Sequence, residues 1–185
     1  VSVLAELDRS TDQALARLES PSRQGRWDRR GLVVGHVQSG KTTHYTSLAA
    51  KAIDSGYRVV IILAGIHNSL RSQTHERIDR HLIGRDSCAL NQAASVSARL
   101  YGVGEYAKQL ALADPTFSIL TCTTAAEAGD FRQNMASQVW LQVNEGARLV
   151  MVVKKNATIL RKLKEWLKTL LADGGRDGAP RLIHE

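Results

Sequence analysis

Two runs of aliphatic and β-branched residues, "VVIILA" at 59–64 and "LVMVV" at 149–153, are apolar at successive positions rather than at alternate ones. Neighbouring side chains of a strand point to opposite faces, so such runs suit a sheet covered on both sides, as parallel sheets between helices are. Turn residues bound the runs and helical patterns separate them. This alternation predicts right-handed βαβ crossovers and an α/β fold, its mostly parallel sheet carrying helices on both faces.

The same grammar extends along the chain. Leu4, Leu7, Ala14, Leu15 and Leu18 make an imperfect helical stripe that stops at "SPS". "GLVVGHV" (31–37) is short, β-branched and bounded by glycines, which predicts a first buried strand. After it, Tyr45, Leu48, Ala49, Ala52 and Ile53 fall at helical spacing, and Gly56 is placed to close that helix in the left-handed conformation. "YRVVIILAG" predicts a second strand, and "NSLRSQTHERIDRHLIG" a helix capped by Asn68 and ended by Gly84. Further elements are a helix over 105–113, a third strand over 117–123, a helix over 132–143 and a fourth strand over 148–153. Beyond Asn156, an amphipathic helix carries Ile159, Leu160, Leu163, Trp166, Leu167, Leu170 and Leu171, and "RLI" is expected to begin a fifth strand.

With 185 residues, 43% of them hydrophobic, the chain is long enough for a core of its own. Its expected organisation is an amino-terminal helix and linker over 1–26 and one nucleotide-binding domain over 27–185. Lys and Arg outnumber Asp and Glu by 25 to 18, a net charge of +7 that favours a polyanionic partner. Cys88 and Cys122 lack the spacing of a zinc site or a disulfide framework, which fits a reducing setting. The longest apolar run is far short of the roughly 20 residues that span a bilayer, and the amino terminus lacks the basic start and apolar core of a secretory signal. A cytoplasmic protein with no membrane partner is therefore expected. The sequence opens on Val1 rather than Met and stops at "RLIHE", and a piece of a longer polypeptide is expected.

Between the predicted first strand and the helix that follows it, residues 35–42 read "GHVQSGKT", a match to G-x-x-x-x-G-K-[ST]. Glycines let the backbone turn tightly and bring its N–H groups against phosphate oxygens, while the amino end of the next helix adds a favourable dipole. An accidental match in a chain of this length has odds of roughly one in a hundred. The strand-loop-helix context narrows it further. The candidate nucleotide-binding residues are Gly35, His36, Val37, Gln38, Ser39, Gly40, Lys41, Thr42 and Thr43. Lys41 is the residue expected on the β and γ phosphates, and the Thr42 hydroxyl the one expected on Mg²⁺. The chain carries no N-K-x-D-like guanine reader, which favours ATP over GTP. Trp27 stands upstream of the loop and reads either as an adenine neighbour or as a core aromatic.

Taken with "VQSGKT", the strand end "LAGIHNSLRSQT" and the later "VMVVKKNATILRKLKEWL" resemble the Z1 domain, a group related to superfamily 2 helicases and found in bacterial ATP-dependent restriction and phage-defence proteins. The likeness spans roughly residues 27–171. It implies the first RecA-like half of a DNA-dependent ATPase, a three-layer P-loop fold whose second RecA-like half closes over the nucleotide. It also implies an acidic Walker B pair after the leucine-rich helix. Here that strand reads "RLIHE", so Glu185 stands as the catalytic acid while His184 occupies the aspartate position.

In superfamily 2 relatives the loop and helix after the second strand hold one DNA strand by its phosphates. The resemblance therefore points to Ser69, Arg71, Ser72, Gln73 and Thr74 as contacts to the DNA backbone, and Thr123, Lys154 and Lys155 are further candidates from their positions at other strand ends, Thr123 reading also as part of the nucleotide cleft or as a polar turn. The same polar segment reads equally as a solvated helix face. No nuclease signature accompanies it, so any cutting is expected in a separate domain or subunit. A P-loop small-molecule kinase, with the arginines between Arg71 and Arg85 as its lid, and a nucleotide-dependent interaction module without hydrolysis are the rival readings.

Overall fold

The computed structural model describes residues 2–25, 27–34, 40–90, 100–109 and 119–173. The chain forms two compact units, Val1–Tyr57 and Arg58–Glu185.

The first unit contains α1 (Val3–Leu15) and α2 (Lys41–Asp54), packed on each other. Ser2 opens α1, its Oγ accepting the Ala5 N–H at 3.2 Å, which satisfies one of the amides left over at a helix start. Lys51 of α2 donates to Asp8 at 2.7 Å and Asp12 at 2.5 Å, two residues one turn apart on α1. Gly56 ends α2 as its sequence position predicts. Its φ of 101° lets the Tyr57 N–H reach Ala52 O and the Gly56 N–H reach Ile53 O, a Schellman pair. Trp27 meets Tyr57 edge-on at 6.5 Å, and the Tyr57 hydroxyl donates to Glu19 O.

One expectation fails here. Residues 31–34 belong to no strand, and Leu32, Val33 and Val34 are 87, 55 and 84% exposed. The rest of that predicted strand, residues 35–37, lies outside the described residues. β-branched composition supplies a preference for extended backbone, but a ladder needs a neighbour that sequence composition does not name.

The second unit runs β1 (Val59–Ala64), α3 (Asn68–Ile78), a π-helical turn (Asp79–Ile83), α4 (Ser87–Leu90), α5 (Val103–Gln109), β2 (Ile119–Leu120), α6 (Gln133–Asn144), β3 (Arg148–Lys154) and α7 (Ala157–Asp173). Its sheet has three strands in the order β1-β3-β2, both pairings parallel. Val59 through Ala64 pair in register with Leu149 through Lys154. Odd-numbered Val59, Ile61, Leu149, Met151 and Val153 join a core with Phe131, Ala136, Val143, Leu163, Trp166 and Leu170. Even-numbered Val60, Ile62, Val150 and Val152 are buried too. Coverage of both faces is why neither run alternates. Trp166 anchors the aromatic part of this core, with Phe131 at 5.6 Å and Trp140 edge-on at 5.8 Å.

Several ends of these elements follow the residues found there. Asn156 caps α7, its Oδ1 accepting the Thr158 and Ile159 amides at 3.0 and 3.3 Å. Gly84, at φ 76°, ends the helix begun at Asn68, although the last turn winds as π, with the Gly84 N–H on Asp79 O. Asn68 does not cap α3. The cap position is His67, without a side-chain bond, because the Asn68 Oδ1 accepts from Lys154 Nζ at 2.7 Å instead. The expected strand at 117–123 pairs only over Ile119–Leu120, with 117 and 118 outside the described residues. At Thr123 the Thr121 hydroxyl takes the backbone N–H, while the Thr123 hydroxyl accepts the Val152 N–H, so side chains replace the ladder. Of the expected helix at 105–113, residues 105–109 lie within α5, and the rest fall outside the described residues, as does the expected strand at 181–183. No helix among the described residues is long and apolar enough to cross a membrane.

The second unit is an α/β arrangement built on a small parallel sheet. Cys122, buried beside β2, has its thiol pushed up to about 12 by that burial. In the unfolded chain the same thiol ionises near pH 8.5 (roughly), so the native state alone keeps the proton between these values. Stability from this group is whole below the lower value and falls as pH rises, by about 1.4 kcal/mol per pH unit. Urea midpoints at about pH 8 and about pH 10 should therefore fall more steeply for the wild type than for Cys122→Ala.

Candidate phosphate cradle and nucleic-acid surface

In the first unit, α2 begins at Lys41, directly after Gly40, whose backbone is left-handed at φ 78° and ψ 19°. Side-chain-bearing residues enter that region at a cost, which explains the glycine of G-K-T at this point. A Cβ built on Gly40 meets no atom of the described residues within 4 Å. Lys41 and Thr43 are exposed and Thr42 is half-buried, all three within the first turn of α2. A glycine turn, an exposed ammonium and a hydroxyl at a helix amino end fit a phosphate group. Thr42 supplies a hydroxyl suited to Mg²⁺. Among the described residues no three His, Cys, Asp or Glu side chains gather to hold a metal. Gly35, His36, Val37, Gln38, Ser39 and Glu185 lie outside the described residues. Trp27, half-buried against Tyr57, is engaged in an aromatic contact within its own unit.

In the second unit, the expected DNA contacts divide according to the face of α3 that carries them. Ser69 and Gln73 are exposed, and Ser72 and Thr74 are half-buried. Arg71 is fully buried. Its guanidinium donates to Thr124 O at 2.6 Å, to Ala126 O and to Ser72 Oγ, which ties α3 to the loop after β2. Burial pushes the Arg71 guanidinium below its usual value, while nearby Asp130 pulls the other way. Thr123 is likewise buried, with its hydroxyl on His75 Nε2 at 2.9 Å. Expected as contacts to DNA, these two residues are instead buried and bonded within the unit, through the terminal nitrogens of Arg71 and the Thr123 hydroxyl. Lys154 is half-buried against Asn68, and Lys155 is exposed.

Sequence reasoning did not anticipate the polar cluster behind this face. His75, Asp79 and Ser87 are all buried. Asp79 Oδ1 lies 3.2 Å from His75 Nδ1, Oδ2 accepts from the Ser87 hydroxyl at 2.5 Å, and Ser87 Oγ accepts the Ala125 N–H at 3.1 Å. A carboxylate, an imidazole and a hydroxyl in series resemble a proton relay in chemistry. Every member is buried, and the bonds tie α3 to α4 and to the loop after β2. The available signal was the four-residue spacing of Arg71, His75 and Asp79, which puts three polar side chains on one stripe of a helix.

Two further features are absent from the predicted set. Ile66 and Leu70 are 64 and 48% exposed at the carboxyl end of β1. Comparisons with protein-family models, with curated proteins and with solved structures found no match.

Replacing Arg71 with leucine would take the guanidinium away from the buried Thr124 carbonyl, while Ala126 O would keep the Gly129 N–H at 2.9 Å. Arg71→Leu is expected to lower the unfolding free energy by about 2–4 kcal/mol, read from urea denaturation, whereas Gln73→Ala on the exposed face should change it by less than about 0.5 kcal/mol.

Proposed function

We propose that the chain binds the phosphates of ATP, with Mg²⁺, and is the amino-terminal RecA-like part of a DNA-dependent ATPase in a restriction or phage-defence system. The observation that carries the nucleotide reading is the left-handed Gly40 opening α2 at Lys41, within a match to the phosphate-binding motif. In this reading, the amides and side chains of Gly35, His36, Val37, Gln38, Ser39, Gly40, Lys41, Thr42 and Thr43 surround the polyphosphate. The Lys41 ammonium holds the β and γ oxygens, and the Thr42 hydroxyl holds the metal, which when bound neutralises charge on the transferring phosphoryl group. Glu185 is the proposed acid that orients the attacking water. The three-layer RecA-like sheet, the second RecA-like half and the nuclease domain or subunit belong to the same proposal.

The net charge of +7 and the exposed or half-buried Ser69, Ser72, Gln73, Thr74, Lys154 and Lys155 support contact with a DNA backbone. Hydroxyls and amides at the carboxyl edge of a parallel sheet, beside cations, suit phosphate oxygens without reading bases.

Titration with a fluorescent ATP analogue tests the first part. Lys41→Ala should weaken binding at least about tenfold, since a charge-assisted contact to phosphate is removed. Equal affinity for wild type and variant overturns it. For the second part, anisotropy of labelled DNA across a salt series should give a linear fall of log K with log salt, and Lys155→Ala should flatten the slope by about one phosphate's worth. An absence of binding at low salt, for single strands and duplexes alike, overturns the DNA reading.

A further inference from the structure

The second unit presents an apolar feature that phosphate contacts alone do not explain. β1 ends at Ala64 in register with Lys154, and the Lys155 N–H reaches both Ala64 O at 3.1 Å and Gly65 O at 3.3 Å. These bonds hold the segment that starts at Gly65 against the end of β3. Ile66 and the first turn of α3 follow at once, with Leu70 folded back towards Gly65 closely enough that a Cβ there would come within 2.8 Å of its Cδ1. Two large aliphatic side chains, 64 and 48% exposed, therefore stand beside Lys154 and Lys155.

The electrostatic setting selects the partner. From Ala64 to His75 the sequence has no Asp or Glu, and from Lys154 to Lys164 it has none either. His67, Lys154, Lys155, Arg161, Lys162 and Lys164 all lie in these two stretches, which open from the ends of neighbouring parallel strands. Asp130 meets this edge, its Oδ1 accepting the Lys154 N–H at 3.3 Å, but the cations outnumber it, which favours a polyanion over an acid-poor protein. A closed duplex offers an aliphatic side chain mainly phosphate, sugar and groove edges. An unpaired strand offers the apolar faces of its bases as well.

We propose that Ile66 and Leu70 form an apolar seat for unstacked bases of a single strand whose phosphates are held by Lys154, Lys155 and the polar face of α3. This deepens the DNA reading and rests on it. Cations set affinity for any strand, and the aliphatic pair sets preference for an open one.

Anisotropy of a labelled twenty-nucleotide oligothymidylate and of a duplex of the same length, each across a salt series, tests it on the whole chain. Wild type should favour the single strand by about fivefold or more at equal salt. Ile66→Ser should remove most of that preference, leave duplex affinity and the salt slope unchanged, and keep the wild-type thermal midpoint because the side chain is exposed. Ile66→Phe, offering a broader face, should restore or raise the preference. A wild type that binds duplex as well as single strand, or an Ile66→Ser that keeps the preference, overturns the seat while leaving the DNA reading intact. Loss of self-association in Ile66→Ser, seen by light scattering with strand preference unchanged, assigns the pair to a protein interface instead and also overturns the seat. Failure to bind either probe overturns both.

Discussion

The parallel pairing of β1 with β3 is the constraint on which the second unit depends. Its ladder pairs one edge of each of the two most apolar runs in the chain, and the side chains are buried on both faces of the sheet. Neither run would be tolerable at a surface, since each successive residue would expose aliphatic area to water. The register also sets where polar chemistry lies. With Ala64 opposite Lys154, the chain leaves both strands at the same edge, so α3 and the lysines of β3 become neighbours. The carboxyl edge of a parallel sheet is where ligands of such folds gather, because the connecting segments rather than the strands supply the side chains.

Behind that edge, the interior is polar and ordered by charge-assisted bonds. Arg71 is buried, and carbonyls of the loop after β2 accept its hydrogen bonds. Removing a guanidinium from water is costly unless such partners are supplied, so the loop and the helix hold each other in place. His75, Asp79, Ser87 and Thr123 extend the tie to α4 and to the β3 backbone. The outward face of α3 is thereby carried on a helix whose inward face is anchored at several points. Exposed Ser69, Leu70 and Gln73 all lie within two residues of the buried Arg71.

Much of this arrangement was legible in the residues. The positions of α2, α6, β3 and α7 and the glycine ends at Gly56 and Gly84 all follow from apolar spacing and from side chains with one strong local preference. The start of α2 was legible for the same reason. Glycine before lysine and threonine at a helix start describes a local backbone conformation, and Gly40 adopts it. What was not legible concerns partners distant in sequence. Asn68 has the chemistry of a cap, yet Lys154 takes its carbonyl across 86 residues. Arg71 has the chemistry of a phosphate ligand, yet carbonyls 53 and 55 residues away claim it first.

The sequence by itself determined most of the helical segments, where most of these stop, and that two runs needed cover on both sides. Those properties arise within a few residues of chain, where propensity, capping and periodicity act directly. Only the tertiary structure decided that "LVV" after Gly31 remains unpaired and exposed, that Arg71 and Thr123 face inward while Ser69 and Gln73 face out, and that Ile66 and Leu70 stand uncovered beside two lysines. A strand needs a neighbouring ladder and a buried ion needs a specific partner, and both are found at separations that local preference does not encode.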